Sequence, residues 1–314
     1  MSVDCLVTGG AGFIGSNLVD ALLARGDRVV VVDNLSTGKR ENLTGALAAG
    51  ARLCEVDIRD APALTDVFAQ ARPQLVFHLA AQIDVRHSVA DPAADAAANV
   101  LGAINVLVAA HAHGATRVVN TSTGGGLYGD AEVLPTPEDH PIRPLAPYGQ
   151  SKLAAEGYFE LFDRLYGIST VSLRYGNVFG PRQDVHGEAG VVAIFCGCLI
   201  EGRVPQIFGD GRQTRDWVDV ADVVSANLLA ADCDLTGPVN IAGGQETSVL
   251  DLVAALRDVG TPRGLALADP AFLPGRPGEV SRSRLDITVA RDRLGWKPTV
   301  SLRDGLERIV GGLV

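Results

Sequence analysis

The chain is poor in the patterns that build disulfide scaffolds and metal sites. Its five cysteines, Cys5, Cys54, Cys196, Cys198 and Cys233, are odd in number and include no C-x-x-C pair, which points to buried reduced thiols rather than disulfides or zinc. The six histidines show no H-E-x-x-H or comparable ligand spacing, so no metal is expected. Positive charge is scarce as well. With 27 Lys and Arg against 37 Asp and Glu, the net charge is −10. That excludes a general nucleic-acid or acidic-membrane surface but leaves room for a local basic pocket around one anionic ligand. Long apolar runs are also missing. Asp4 interrupts the amino terminus before a signal-peptide core can form, and no later run approaches the ~20 apolar residues of a membrane span. These absences lead to the expectation of a cytoplasmic protein with no nucleic-acid and no membrane partner.

What remains is an ordinary globular composition. The 314 residues, 47% apolar and 20% charged, allow one large or two modest domains with a sizeable core. The informative stretch is residues 3–15, where an apolar strand runs into a glycine turn that opens a helix. Gly10, Gly12 and Gly15 satisfy G-x-G-x-x-G, a pattern that brings backbone N–H groups and a helix N-terminus up to a pyrophosphate. Eighteen residues beyond Gly15, the strand Arg28-Val-Val-Val-Val-Asp33 ends in a carboxylate placed to accept from the adenosine ribose. The acid favours NAD over NADP, although Lys39 and Arg40 lie close enough in sequence to keep NADP open.

Short Val/Leu-rich runs near 3–8, 28–33, 51–56, 74–79 and 116–122 alternate with Ala/Leu-rich helical segments. The pattern predicts a doubly wound parallel α/β sheet whose ligands lie outside the carboxyl ends of the strands. Asp57 follows the third strand and is placed to meet the adenine, while Leu79-Ala80-Ala81-Gln82 offers small residues after the fourth. Asp91-Pro92 reads as the start of a helix running through Asn99 to about His113. Asn99 is either a packed amide or part of a site. The fifth strand ends in Asn120-Thr-Ser-Thr-Gly-Gly-Gly126, and Tyr148 and Lys152 share a face near the start of a helix predicted to reach Tyr166. A lysine ammonium and an oxidised nicotinamide beside Tyr148 would both favour its phenolate, so that Tyr148 exchanges a proton with a substrate hydroxyl that Thr123 or Ser122 holds.

These motifs, together with Leu173-Arg-Tyr-Gly-Asn177, Gly190-Val-Val-Ala-Ile-Phe195, Gln206-Ile-Phe208, Arg215-Asp-Trp and Arg276-Pro-Gly-Glu279, resemble the extended short-chain dehydrogenases/reductases, and within them the nucleotide-sugar epimerases. The resemblance covers nearly the whole chain. It implies a Rossmann NAD-binding domain of 1–176 plus 217–242 and a smaller α/β substrate-binding domain of 177–216 plus 243–314. It also implies a cofactor bed in which Gly9, Gly12, Phe13 and Ile14 cradle phosphates and Asp33 and Asn34 meet the ribose. In that bed Asp57 and Ile58 border the adenine, Leu79, Ala80, Ala81 and Asn99 pass under the cofactor, and Tyr148, Lys152 and Tyr175 lie at the nicotinamide end. For the substrate it implies Asn177, Arg215 and Arg276 on the pyrophosphate, and Val192, Gln206, Phe208 and Glu279 around the uridine. Gln82, Arg86, Thr123 and Ser283 would stand near the sugar, with Arg182 and His186 also within sequence reach of it.

Dehydratases of the family carry an Asp-Glu pair where Gly125 and Gly126 stand here, which disfavours dehydration. Gly124 replaces a usual Ser or Thr, which passes the hydroxyl contact to Thr123. The branch resemblance implies NAD-dependent 4-epimerisation of UDP-glucose and UDP-galactose through a transient 4-keto sugar. UDP-glucuronate 4-epimerisation or decarboxylation is the runner-up, and a catalytically inactive NAD-binding sensor is the reading from another class. The small Ser283 implies some tolerance of N-acetylated hexoses. A homodimer is implied too, with the helices 91–113 and 147–166 pairing across a two-fold through outer apolar residues such as Val106 and Phe159.

Overall fold

The computed structural model describes residues 2–184, 190–275 and 280–313. The Val-rich runs become strands β1 (Asp4–Thr8), β2 (Arg28–Asp33), β3 (Arg52–Glu55), β4 (Leu75–His78), β5 (Arg117–Thr123) and β6 (Ser169–Tyr175). Three short pieces follow, β7 (Asn177–Phe179), β8 (Gln206–Phe208) and β9 (Thr214–Arg215), then β10 (Trp217–Asp219), β11 (Gly237–Ile241), β12 (Thr247–Ser248) and β13 (Ala271–Leu273). Seven of them form one parallel sheet in the order β11-β6-β5-β4-β1-β2-β3. The order reverses at β1, the position where a doubly wound sheet opens a crevice for ligands.

Both faces of this sheet are covered, which is why its strands read as continuous apolar runs rather than alternating ones. Side chains still alternate in direction along each strand. Val7, Val31, Phe77 and Val119 pack with Leu18, Leu22, Val223 and Trp296 on one face, while Leu6, Val32, Val76 and Val118 pack with Leu107, Phe159 and Phe162 on the other. Each such side chain contributes roughly 1.5–3 kcal/mol by leaving water. The remaining strands make two-stranded pairs, β10 with β7, β12 with β9 and β13 with β8. A separate core lies beside them, formed by Phe179, Phe195, Leu199, Leu252, Leu256 and Ile309. Its helix Val249–Gly260 begins with a capping box between Ser248 and Asp251.

Asp91 caps the next turn through its carboxylate and the Ala94 amide at 2.9 Å, with Pro92 in the first helical turn. The helix continues to Ala112 but widens into a π turn over Ala97–Leu101. By length and composition Pro92–Ala112 is apolar enough to cross a membrane, against the expectation that no run reaches that length. The polar residues in it have partners inside the protein, as in a core helix: Asp95 takes Gln82 and Asn99, and Asn105 donates to the Ile58 carbonyl. A second correction concerns the dimer contact. Val106 and Phe159 are fully buried within one chain, because their side chains point at the sheet. The exposed apolar residues of the same two helices are Leu101, Val108, Tyr158, Leu165 and Tyr166.

Candidate active site

The glycine turn after β1 is tight enough that side chains are excluded. A Cβ on Gly15 would lie 2.2 Å from the Gly9 carbonyl oxygen, and one on Gly9, which has φ +69, would lie 2.6 Å from the Ala80 nitrogen. Gly12 stands at the N-cap of the helix Phe13–Arg25 with no side chain capping it, so the first-turn amides at Phe13 and Ile14 face the end where a pyrophosphate would sit. Thr8 braces the opposite wall. Its hydroxyl oxygen accepts from the Leu79 and Ala80 amides at 3.2 Å each and donates to His78 Nδ1 at 2.8 Å. Burial pushes His78 down to about 3, which keeps its ring neutral and able to accept that proton.

Asp33 closes β2. One carboxylate oxygen accepts from the Ala11 amide and the other from the Leu35 amide, both at 2.9 Å. Two of its lone-pair sites remain for a ribose diol. Lys39 pairs with Asp184 at 3.0 Å and Arg40 with Glu55 at 2.6 Å, so both cations that kept a 2′-phosphate in play are neutralised by this chain's own acids. Asn34 donates to Asp57 at 2.8 Å, and the adjoining Arg59 guanidinium holds the Asp57 carboxyl far below the usual carboxylate range. Ile58 is buried under the helix that carries Gly102. A cradle that excludes Cβ atoms, a half-committed acid beside it and a helix N-terminus between them fit a dinucleotide with an unphosphorylated ribose.

At the far end of the crevice β5 delivers Ser122 and Thr123 in opposite directions. Thr123 accepts from the Gly126 amide at 3.1 Å and neighbours Tyr148, since a Cβ on Gly126 would lie 2.9 Å from the one side chain and 3.3 Å from the other. Ser122 is buried, and its Oγ has no hydrogen-bond partner among the described residues. The glycines here serve close approach. A Cβ on Gly149 would meet the Gly126 carbonyl at 2.2 Å, and one on Gly124 would meet Leu285 at 2.4 Å. Leu285 therefore occupies the space that a Ser or Thr at position 124 would need.

Lys152 shares a helical face with Tyr148, as expected. Its Nζ donates to the Thr121 carbonyl at 2.9 Å, and burial lowers it to about 8. Burial pushes Tyr148 up to about 12, with the Thr123 hydrogen bond opposing and the Asp95 charge reinforcing the rise. Tyr175 lies below them, its hydroxyl taken by Asn227 at 2.7 Å and Thr121 at 3.3 Å.

Asn99 is buried in the π turn, with both ends of its amide engaged inside the protein. It accepts from the Gln82 amide at 2.8 Å and donates to the Gln82 carbonyl, Asp95 and Ser151. Gln82 is the correction that follows. Its side-chain amide is taken at both ends by Asp84 and Asp95, so it builds the wall and does not reach for a sugar. Ala81 lies beside it, half-buried. Arg86 is paired with Asp84 at 3.9 Å.

On the other bank, Asn177 opens β7 with its amide on the Asp216 carbonyl at 2.7 Å. Arg215 Nη1 donates to the Thr214 and Val280 carbonyls at 2.8 Å each, which ties the bank to the segment leading to the buried Ser283. Gln206 and Phe208 lie on β8, exposed and half-buried respectively. Val192 is different: it is completely buried in the small core with Phe195 and Leu199, so it packs rather than lining a uridine site. Arg182 is also reassigned, because it adopts φ +72 and pairs with Asp20 at 2.6 Å, on the cofactor side of the crevice. His186, Arg276 and Glu279 lie outside the described residues.

Three features had no usable sequence signal. Asp95 sits at i−4 to Asn99, a spacing that reads as an ordinary helix pair. The Thr8–His78 brace joins residues 70 apart. The link of Arg182 to Asp20 depends on a left-handed residue that the sequence does not announce.

Comparison with known proteins agrees with this geometry. Residues 5–242 match the model of the NAD dependent epimerase/dehydratase family. The chain is 46% identical over 313 residues to a UDP-glucose 4-epimerase of Mycolicibacterium smegmatis, covering 97% of this chain and 96% of the relative. It superposes with a TM-score of 0.94 and 45% identity on a UDP-glucose 4-epimerase of Thermotoga maritima solved with UDP-glucose, over 98% of both chains. A Thermus thermophilus UDP-glucose 4-epimerase solved with NAD aligns at a TM-score of 0.89 and 41% identity, over 98% of this chain and 97% of that one. Strand order, glycine cradle, acid and Tyr-Lys helix coincide with a family match over most of the chain, and the protein belongs to the NAD-dependent epimerase/dehydratase family.

Proposed function

We propose that the protein interconverts UDP-glucose and UDP-galactose by inverting C4 of the hexose. The observation that carries the reading is Tyr148 beside Thr123, next to a cradle that fits NAD, in a chain with 46% identity along its length to a UDP-glucose 4-epimerase. When bound, NAD would supply a reversible hydride acceptor for C4, so the cycle would need no external reductant. Tyr148 Oη takes the proton of the 4-hydroxyl as the ketone forms and gives it back on reduction. Thr123 positions the same oxygen. Lys152, tied to the Thr121 carbonyl, places a positive charge beneath the crevice floor.

The bank carrying Asn177 and Arg215 holds the pyrophosphate, and the resemblance adds Arg276, which lies outside the described residues, because arginine forks suit two phosphates better than point charges do. A hexose held less firmly than its UDP can turn over between the two hydride steps. UDP-glucuronate loses support, since Arg182, one of the cations considered for its carboxylate, is on Asp20. A division at 1–176 plus 217–242 and 177–216 plus 243–314 is supported by the separate small core around Phe195 and Leu256, although Trp296 packs into the sheet core and Trp217 into the small one. Pairing of two copies through Leu101, Val108, Tyr158, Leu165 and Tyr166 is supported by the exposure of these apolar side chains on neighbouring helices. A cytoplasmic setting is supported by five free thiols. The deciding experiment incubates purified protein with UDP-glucose and separately with UDP-glucuronate, without added reductant, and resolves the products. UDP-galactose should accumulate to equilibrium. A higher kcat/KM on the glucuronate would overturn the assignment.

A further inference from the structure

Strand β7 leads into Gly180-Pro-Arg-Gln183, where the Gln183 amide donates to the Gly180 carbonyl at 3.3 Å and Arg182 has φ +72. A β-turn with proline in second place and a left-handed residue in third is one that favours glycine in third place. Arginine stands there instead. A residue kept in a conformation that suits glycine points to a use for its side chain, and this one is engaged: Arg182 Nη2 donates to Asp20 Oδ2 at 2.6 Å.

The same turn is attached at two more points. Asn17 Nδ2 donates to the Pro181 carbonyl at 3.2 Å and to the Phe13 carbonyl at 2.9 Å, and Lys39 Nζ pairs with Asp184 at 3.0 Å. Phe13, Asn17 and Asp20 are spaced i, i+4, i+7 along the helix Phe13–Arg25, so they share one face, and that face begins at the glycine turn. Lys39 belongs to the loop after β2. Its amide donates to the Ala11 carbonyl at 3.0 Å, and its neighbour Gly38 is so near Asp33 that a Cβ there would lie 2.8 Å from the carboxylate. Residues 181–184 thus pass from the helix that opens the pyrophosphate cradle to the loop beside the ribose acid, a reach of at most ~11 Å for three residue steps.

We propose that Gly180–Asp184 is a strap that retains NAD, drawn across the mouth between the glycine cradle and Asp33 by Arg182 on Asp20, Asn17 on the Pro181 carbonyl and Lys39 on Asp184. Each attachment is partly exposed and weak by itself. Together they hold one short turn, and the turn must part before the dinucleotide can leave. Two of the three are ion pairs, which salt screens, so the release of NAD carries a salt dependence that the strap confers. Slow release suits an enzyme whose NAD returns to its starting state in every cycle. The strap itself needs only the NAD cradle and is independent of which sugar is turned over.

Arg182→Gly isolates the guanidinium, because glycine is the residue that the turn favours. Combined with Asp184→Asn it opens both ion pairs and leaves the net charge unchanged, so the general field on the dinucleotide is preserved. NAD-loaded protein is diluted into an excess of an enzyme that consumes free NAD, and the NAD remaining on the protein is followed with time in low salt and in ~0.5 M NaCl. Release should be ~5-fold faster or more in the double variant at low salt, and its acceleration by salt should be smaller than that of wild type. Reversing the first pair, Asp20→Arg with Arg182→Asp, should return release towards the wild-type rate. Asp20→Asn with Asp184→Asn serves if the glycine variant does not fold; it removes two acids near an anionic ligand, which by charge alone would slow release, so the same ~5-fold rise is expected only from an opened strap. A smaller rise, or a salt dependence equal to that of wild type, overturns the proposal and leaves the turn as a clamp between β7 and the helix Phe13–Arg25. No sugar enters the assay, so absence of activity on UDP-glucose would sink the substrate assignment alone and leave NAD release readable.

Discussion

Tyr148→Phe removes one oxygen from the centre of the crevice and leaves a ring of the same shape. In the folded protein the ring stands beside Thr123, whose own Oγ1 keeps the Gly126 amide at 3.1 Å after the change. No buried donor is orphaned, so the stability cost should stay within about 1 kcal/mol. The rate effect is of another size. Burial pushes the wild-type phenol up to about 12, so a positive charge beside it, such as that of an oxidised nicotinamide, would assist its activation. With a phenyl ring no such group exists at any pH, and water is the remaining proton acceptor. General acid–base groups contribute ~10²–10⁴-fold, and a poised phenolate belongs in the upper part of that range. The variant should lose about three decades of kcat or more, equivalent to ~4 kcal/mol. The assay follows UDP-galactose conversion by product separation, alongside a thermal melt and the NAD content of the purified protein. Loss of rate with melt and NAD content preserved is the expected pattern. Activity within about tenfold of wild type would refute Tyr148 as the proton carrier.

Three further outcomes follow from the same geometry. Asp33→Ala removes a charged acceptor from the ribose and from the Ala11 and Leu35 amides, so titration should show NAD binding ~10–100-fold weaker; unchanged affinity, or tighter binding of NADP than NAD by wild type, would count against the assignment. Asp216 is raised from 3.8 to about 7 by burial. A folded value above the unfolded one means that its contribution to stability is complete below about 4 and is lost as pH rises through about 7. Wild-type melts should therefore decline across that window relative to Asp216→Asn, whose amide can still accept from Leu285; parallel profiles would show that the site titrates elsewhere. Finally, Val108→Lys combined with Leu165→Glu places charge on two exposed apolar positions and should convert a dimer to monomer in sedimentation at micromolar concentration. A dimer of wild-type tightness in the double variant would move the interface to another face.

How far the sequence could be read was decided by the range of the interactions involved. The expected strand at 28–33 is β2 to the residue, β1 deviates by one residue at its start, and β3, β4 and β5 deviate by one residue at each end, because buried parallel strands and their glycine or hydroxyl ends are local signals. The cradle, Asp33 and the Tyr148–Lys152 helix are local in the same sense. Errors arose wherever a side chain's direction depended on a distant partner. Val106, Phe159 and Val192 were apolar residues on the right helices, but helical phase relative to the sheet sends them into the core. Gln82 and Arg182 were polar residues in the right loops, yet Asp95 and Asp20 claim them. The π turn at Ala97–Leu101 combines both difficulties. One extra residue in a helical turn shifts the facing of everything before it, and no residue type in Ala-Ala-Asn-Val-Leu demands that extra residue. What holds it is the bond of Asn99 to Gln82, Asp95 and Ser151 at once, a set that exists only after three segments have met. A widened turn maintained by such a set stores information that composition and period cannot carry, and in this protein it is bonded through Ser151 to the helix that carries Tyr148.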